Sequence, residues 1–295
     1  MSRKLFKMDN HQTALNIIKR EMLLDKVALS SFVFIVGIII FVFITSFIIA
    51  QTEALRFDLG MINQSPSRNH FLGTDNFGRD GLMMLIVAAR NTLTITILVT
   101  LISSTFGVIY GLIAGYVGGR IDNLMMRIIE GISILPNVVI LIAFVAIIGR
   151  FSIFTFTVLM SLLTWTAPAK MVRTKLIQEK ELEYVQASIT LGTPHFKIII
   201  HELLPNLSTI IIASIVLNAV GIIGIEAGIS FIGFGFPTEM PSLGTLVAGA
   251  RRANILTNRW WSWAPATALM VLMLFSINNI GNMLNRATDA RQRRG

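Results

Sequence analysis

Glu183-Tyr184-Val185-Gln186-Ala187-Ser188-Ile189-Thr190-Leu191-Gly192, followed shortly by Leu204-Pro205-Asn206, is a polar interruption between two long apolar runs. A segment of this length between hydrophobic stretches has a reason to exist, and a surface for a docking partner is one. The surrounding chain has the composition of a bilayer protein. It is 54% hydrophobic and only 14% charged, with mean hydropathy +0.70, against about 25% charged residues in a soluble domain. No cysteine is present, so disulfides and thiolate metal sites are excluded. The net charge of +9 is not read as a nucleic-acid face, because the basic residues cluster near the ends of apolar runs.

Runs long enough to cross hydrocarbon, about 20 residues, number six, which predicts an all-α membrane protein. They cover Val27–Ala50, Thr92–Val117, Leu124–Ile148, Phe151–Ala169, Leu207–Phe234 and Ala264–Leu284. The fourth is diluted by Thr155, Thr157, Ser161, Thr164 and Thr166. The first is longer than the 7–15 apolar residues of a signal peptide and reads as an uncleaved anchor. Six spans place both termini on one side. With the termini inside, only Arg56, Arg68, Arg79, Arg90, Arg150, Arg251, Arg252 and Arg259 fall outside, and the other 17 of 25 Lys and Arg lie inside. This asymmetry favours cytoplasmic termini. The expected organisation is a basic N-terminus 1–26, a first span 27–50, an outer loop 51–87, a core 88–284 and a basic tail 285–295. A second long outer loop spans about 235–263, with Trp260, Trp261 and Trp263 at the expected outer interfacial belt. The polar segment 183–206 then faces the cytoplasm.

Gly107, Gly111, Gly115 and Gly119 recur every four residues, a smooth stripe for close helix packing. Two acids lie in or near the hydrocarbon. Glu130 follows Arg127 by three residues and reads either as an ion-pair partner or as a group on a translocation path. Glu226, among Gly224, Ala227, Gly228 and Ser230, reads either as a buried packing hydrogen bond or as a path group. Pro136 and Pro168 are expected to kink their helices. Several chemistries are missing. No G-x-x-x-x-G-K-[ST] loop exists, His201-Glu202 lacks the second histidine of H-E-x-x-H, the four histidines form no ligand set, and G-x-S-x-G does not occur. Neither a catalytic centre nor a metal site is expected.

The cytoplasmic loop, 170–206, reads as two helical pieces. The first, Met171–Leu191, continues the fourth span and is stopped by Gly192. Thr193 as N-cap and Pro194 at the first helical position start the second, which ends at Pro205. Ala187 and Ser188 are small enough for a surface to approach, and Tyr184, Val185, Ile189 and Leu191 are too apolar for a solvated connector.

These residues resemble the cytoplasmic signature E-A-A-x3-G-x9-I-x-L-P of ABC importer permeases. Gln186-Ala187-Ser188 stands at E-A-A, followed by Gly192 and then Leu204-Pro205. Gln186 replaces the acid, Ser188 the second alanine and Glu202 the isoleucine. Other stretches are similar to the C-type permease subunit of oligopeptide/dipeptide importers. They are Leu72-Gly73-Thr74-Asp75-Asn76-Phe77-Gly78-Arg79-Asp80, Gly115-Tyr116-Val117-Gly118-Gly119 with Asp122, the run Glu226 to Gly233, and Pro241-Ser242-Leu243-Gly244.

The resemblance implies a type I importer permease fold in the bacterial plasma membrane, with a coupling helix that includes Glu183 and Tyr184 and docks on an ATPase. It implies two ATP-binding subunits that use ATP and Mg, a homologous B-type permease completing the path, and an extracytoplasmic binding lipoprotein on the outer loops. The implied cargo is a peptide, with nickel or a metal chelate as the alternative within the family. Two rival classes stand beside it. A proton-coupled secondary transporter would use Glu130 or Glu226 but leaves the 183–206 segment unexplained. A channel would show an ion-filter signature, and none is present.

Overall fold

The computed structural model describes residues 14–48, 54–148, 152–237 and 239–292. Arg3, Lys4, Lys7, Ala50, Gln51, Arg150, Phe151, Arg293 and Arg294, which enter the expected spans and the charge balance, lie outside them. The helices are α1 (Ala14–Leu24), α2 (Lys26–Ile48), α3 (Gly81–Val117), α4 (Gly119–Ser133), α5 (Asn137–Ile148), α6 (Ile153–Thr164) and α7 (Thr166–Lys180). They continue with α8 (Glu183–Thr190), α9 (His195–Ile198), α10 (Leu204–Ile229), α11 (Leu243–Ala248), α12 (Ala253–Asn258) and α13 (Ala264–Gln292). No strand occurs among the described residues.

Four helical stretches are long and apolar enough to cross a membrane: Lys26–Ser46, Gly81–Val117, His195–Phe234 and Ala264–Ala287. The pair α4 and α5, bent by 62°, makes a fifth if taken as one span. The expected third span is therefore a broken one. Pro136 withholds an N–H from the carbonyl four residues back and its ring crowds that turn, which breaks the helix between Ser133 and Asn137. The expected fourth span is α6, of 12 residues, which runs through the helical Trp165 (φ −69°, ψ −20°) into α7. Pro168 lies in the first turn of α7, where a missing N–H is tolerated.

Helix α3 begins 11 residues before the expected span, because Asp80 caps it by accepting from Leu82 N (2.9 Å) and Met83 N (3.0 Å). Its 37 residues reach about 56 Å at 1.5 Å per residue, and the outer loop shrinks accordingly. The polar residues of the added turns have partners. Arg90 donates to Ser46 Oγ (2.8 Å) and Asn91 to the Pro241 carbonyl (2.7 Å).

Helix α3 is the centre of the bundle, and the glycine stripe explains how. A Cβ on Gly107 would lie 2.5 Å from the Trp165 carbonyl oxygen, one on Gly111 2.5 Å from that of Ala169, and one on Gly115 3.0 Å from that of Arg173. The stripe lets the backbones of α3 and α7 touch. Gly119 does not belong to it. The helix ends at Val117, Gly118 and Gly119 both take positive φ (70° and 59°), and nothing lies within 4 Å of a Cβ on Gly119. The buried core forms around α3, with Ile95, Val99, Phe156, Met160 and Ile222 in one cluster and Leu93, Ile223, Leu243 and Met273 in another.

The second helical piece of the 170–206 segment does not stop at Pro205. Helix α9, a π turn over Ile199–Leu203, α10 and a second π turn over Ser230–Phe234 form one rod. In the first π turn the Leu204 N–H bonds to the Ile199 carbonyl five residues back. Pro205 then falls in the first turn of α10, where it needs no donor. Gly233 (φ 108°) ends the rod. At the far end, α13 runs past Leu284 to Gln292, and Arg286 is paired with Asp25.

Candidate functional site

The polar segment from Glu183 folds as α8, a helix of eight residues. It is not the tail of a single helix 171–191 as expected, because α7 stops at Lys180 and Leu182 turns extended (φ −69°, ψ 146°) before α8 starts. That break lets Val185, fully buried, drop into a cluster with Val172, Leu176, Ile198 and Leu203. Glu183, Gln186, Ala187 and Thr190 remain exposed, and Ser188 is half-buried. Glu183 sits in the first turn, where a carboxylate favours the helix dipole.

Gly192 ends the helix as the sequence predicts, with φ +78°. Thr193 N bonds to the Ser188 carbonyl (3.1 Å) and Gly192 N to that of Ile189 (3.0 Å), the paired bonds of a Schellman motif. The restart differs by one residue from expectation. Pro194, not Thr193, occupies the N-cap of α9, with no side-chain cap bond. On either side of this turn Leu191 is 84% exposed and Phe196 74% exposed. Phe196 was not singled out by sequence reasoning; the available signal was a lone aromatic just after a Gly-Thr-Pro turn.

Side chains fasten α8 to both neighbours. Tyr184 Oη donates to Glu179 Oε1 on α7 (2.8 Å) and accepts from Asn206 Nδ2 on α10 (2.7 Å). Burial and then the bond to Glu179 push the Tyr184 phenol well above its usual range, so it stays a donor. Gln186 Nε2 donates to the Lys180 carbonyl (2.9 Å), and Ser188 Oγ donates to Glu202 Oε1 (2.8 Å). Around this, Lys180 Nζ donates to the Tyr116 carbonyl (2.6 Å), and Arg173 holds Asp122 with two bonds of 2.5 Å each. Leu204 is half-buried, Pro205 exposed.

The two acids stand in different settings. Glu130 is exposed on α4 and paired with Arg127 (2.9 Å). Glu226 is 2% exposed and its Oε1 accepts from Ser230 (2.8 Å) and Ser242 (2.6 Å). Ser242 caps α11 through a capping box. A Cβ on Gly244 would lie 2.8 Å from Ala227 Cα and 2.9 Å from Glu226 Oε1, so α11 rests directly on α10. Leu243 N also donates to Thr92 Oγ1 (3.0 Å) on α3. Glu226 is the acceptor that holds α11 down. Glu226→Ala leaves two hydroxyls without it and should destabilise the protein by about 1–3 kcal/mol. Glu226→Gln, which keeps a carbonyl oxygen, should cost clearly less; thermal unfolding in detergent measures both.

The loop before α3 and the loop before α13 fold into one body. Asp75 accepts from Phe77 N, Arg79 N and Arg79 Nε (2.8, 2.9 and 2.7 Å), and His70 meets Asp80 at 2.7 Å. Arg259 of the second loop reaches Asn63 (2.6 Å) and Asn76 (2.7 Å) of the first. Phe57, Leu59 and Phe71 are left exposed on this surface.

In this all-helical membrane protein a short helix, closed by a Schellman turn and fastened by side chains, joins α7 to the long rod that starts at α9. The chain belongs to the family of binding-protein-dependent transport system inner membrane components, whose profile matches residues 107–294. It is 40% identical over 289 residues to the oligopeptide transport system permease protein OppC of Lactococcus lactis subsp. cremoris (strain SK11), covering 97% of this chain and 98% of that one. It is 33% identical over 260 residues to the dipeptide transport system permease protein DppC of Bacillus subtilis (strain 168), with 87% and 81% covered. The oligopeptide transport system permease protein AmiD of Streptococcus pneumoniae (strain ATCC BAA-255 / R6) is 32% identical over 271 residues, with 90% and 87% covered.

Proposed function

We propose that this chain is the permease subunit of an ATP-driven peptide importer and forms half of the translocation path. The observation that carries this reading is the 40% identity to an oligopeptide permease along nearly the whole chain. The exposed face of α8 beside the Schellman turn supports it physically, with Leu191 and Phe196 as the knob a partner groove would accept.

In this reading two ATP-binding subunits use ATP and Mg, and one of them docks on Glu183, Tyr184, Gln186, Ala187 and Ser188 around Gly192, backed by Leu204 and Pro205. A homologous B-type permease covers the other half of the path. The outer body, with Phe57, Leu59 and Phe71 exposed, receives an extracytoplasmic binding lipoprotein. Both termini are cytoplasmic, on the distribution of basic residues. Access alternates because the ATPase pair contacts the two states differently. Glu130 is a path candidate by exposure, whereas Glu226 reaches a path only if α11 lifts.

The test is uptake by a strain lacking this chain. Labelled tri- and tetrapeptide uptake should fall to background and return with the gene. It should persist under a protonophore while ATP is maintained. Uptake that survives ATP depletion but collapses with the proton gradient would instead identify a secondary transporter. Lost nickel uptake with intact peptide uptake would identify the metal-carrying branch.

A further inference from the structure

We infer that Ser188 and Glu202 are positioning residues, a matched pair that sets the register of α8 against the α9–α10 rod and so carries the movement of the docked helix into the span. The inference rests on the reading of α8 as the ATPase-docking helix.

Both residues depart from the importer signature, a serine at its second alanine and a glutamate at its isoleucine. They are 14 residues apart, and in the folded chain each is the other's partner, Ser188 Oγ donating to Glu202 Oε1 at 2.8 Å. An alanine and an isoleucine at these places could meet only by apolar contact. Here a hydrogen bond to a carboxylate, directional and stronger than a neutral one, takes over the same junction. Its location makes it a lever point. Glu202 lies in the π turn Ile199–Leu203, where backbone hydrogen bonding departs from the regular helix. Ser188 supplies the carbonyl that closes the turn at Gly192. The pair therefore joins the end of α8 to the irregular turn at the start of the rod.

The two side chains are unequal in what they leave behind. Glu202 Oε2 is buried with no hydrogen-bond partner among the described residues. Removing the Ser188 hydroxyl strips the donor from Oε1 of a carboxylate already short of partners. Removing Glu202 instead leaves a hydroxyl that can turn back to the Tyr184 carbonyl four residues earlier on its own helix. The serine variant should be the more damaging, and the double variant Ser188→Ala with Glu202→Ile should regain the apolar match.

The experiment is a double-mutant cycle on the complete transporter in proteoliposomes, co-purified with its partner subunits. The readout is uptake of a labelled tryptic digest of casein per ATP hydrolysed. Ser188→Ala should lower this ratio about tenfold and Glu202→Ile about threefold, while the double variant stays within about twofold of the parent. Ser188→Thr, which keeps the hydroxyl, should also stay within about twofold, separating the hydrogen bond from a fold defect. Unchanged single variants, a double variant at the product of the two losses, or a threonine variant as poor as the alanine one would each overturn the pair. Gly192→Val serves as the reference. If it leaves the ratio intact, the docking reading falls and the lock with it. If it uncouples while Ser188→Ala does not, the lock alone falls.

Discussion

Gly192→Val is expected to abolish peptide uptake while the chain still inserts in the membrane at normal levels. Gly192 sits at φ +78° with nothing within 4 Å of where a Cβ would stand, so conformation rather than crowding within the chain is the obstacle. A non-glycine residue in the left-handed region costs about 1–2 kcal/mol, and β-branching raises that further. The chain escapes by giving up the paired bonds from Thr193 and Gly192 to Ser188 and Ile189. That unwinds the end of an eight-residue helix and changes where Leu191 is presented. A helix this short has no stability of its own to resist. Global folding is spared because Val185 and the cluster beneath it do not involve Gly192. Gly192→Asn separates two causes, since asparagine tolerates the left-handed conformation. Uptake near normal in that variant assigns the effect to φ; loss in both assigns it to close approach by the partner. Uptake retained by the valine variant would refute the docking role of α8.

Gly111→Leu is expected to prevent stable folding. A Cβ there would lie 2.5 Å from the Ala169 carbonyl oxygen and 3.1 Å from both the Arg173 nitrogen and Val172 Cβ. Two of these three neighbours are backbone atoms, which cannot swing aside as a flexible side chain would. The strain must be relieved by separating α3 from α7, which also disturbs the Asp122–Arg173 pair below. Overpacking a tight interior typically costs about 1–3 kcal/mol, and a leucine against backbone belongs at or above the top of that range. Gly37→Ala is the control, because α2 has nothing within 4 Å of that position. It should be neutral or gain up to about 1 kcal/mol from helix propensity. Yield in the membrane and thermal unfolding in detergent distinguish the two variants.

The apolar runs, the glycine stripe at 107, 111 and 115 and the stop at Gly192 were legible because each signal is local. A span needs only its own hydrophobicity, a stripe only its spacing, and a left-handed cap only a glycine. The register of Gln186, Gly192 and Leu204-Pro205 against the importer signature singled out the segment that folds as α8 and its Schellman turn. Gly119 was misread for an equally local reason, since spacing alone continues a stripe past a helix end that two positive-φ glycines create. Pro205 was misread as a stop because the π turn that moves it into a first helical turn has no mark in the sequence.

By itself, then, the sequence determined that this is an all-helical membrane protein of the permease family, and that its polar segment turns at Gly192. The tertiary structure alone decided that α7 and α8 part at Leu182, although Lys180-Glu181-Leu182-Glu183 is a run of good helix formers. The gain from burying Val185 among Val172, Leu176, Ile198 and Leu203 outweighs local propensity. Only the fold brought Glu226 under Ser242, Arg259 onto Asn63 and Asn76, and Ser188 onto Glu202. These partners are 14 to 196 residues apart. Whether such groups meet depends on which helices pack together, and neither residue of a pair carries that information alone.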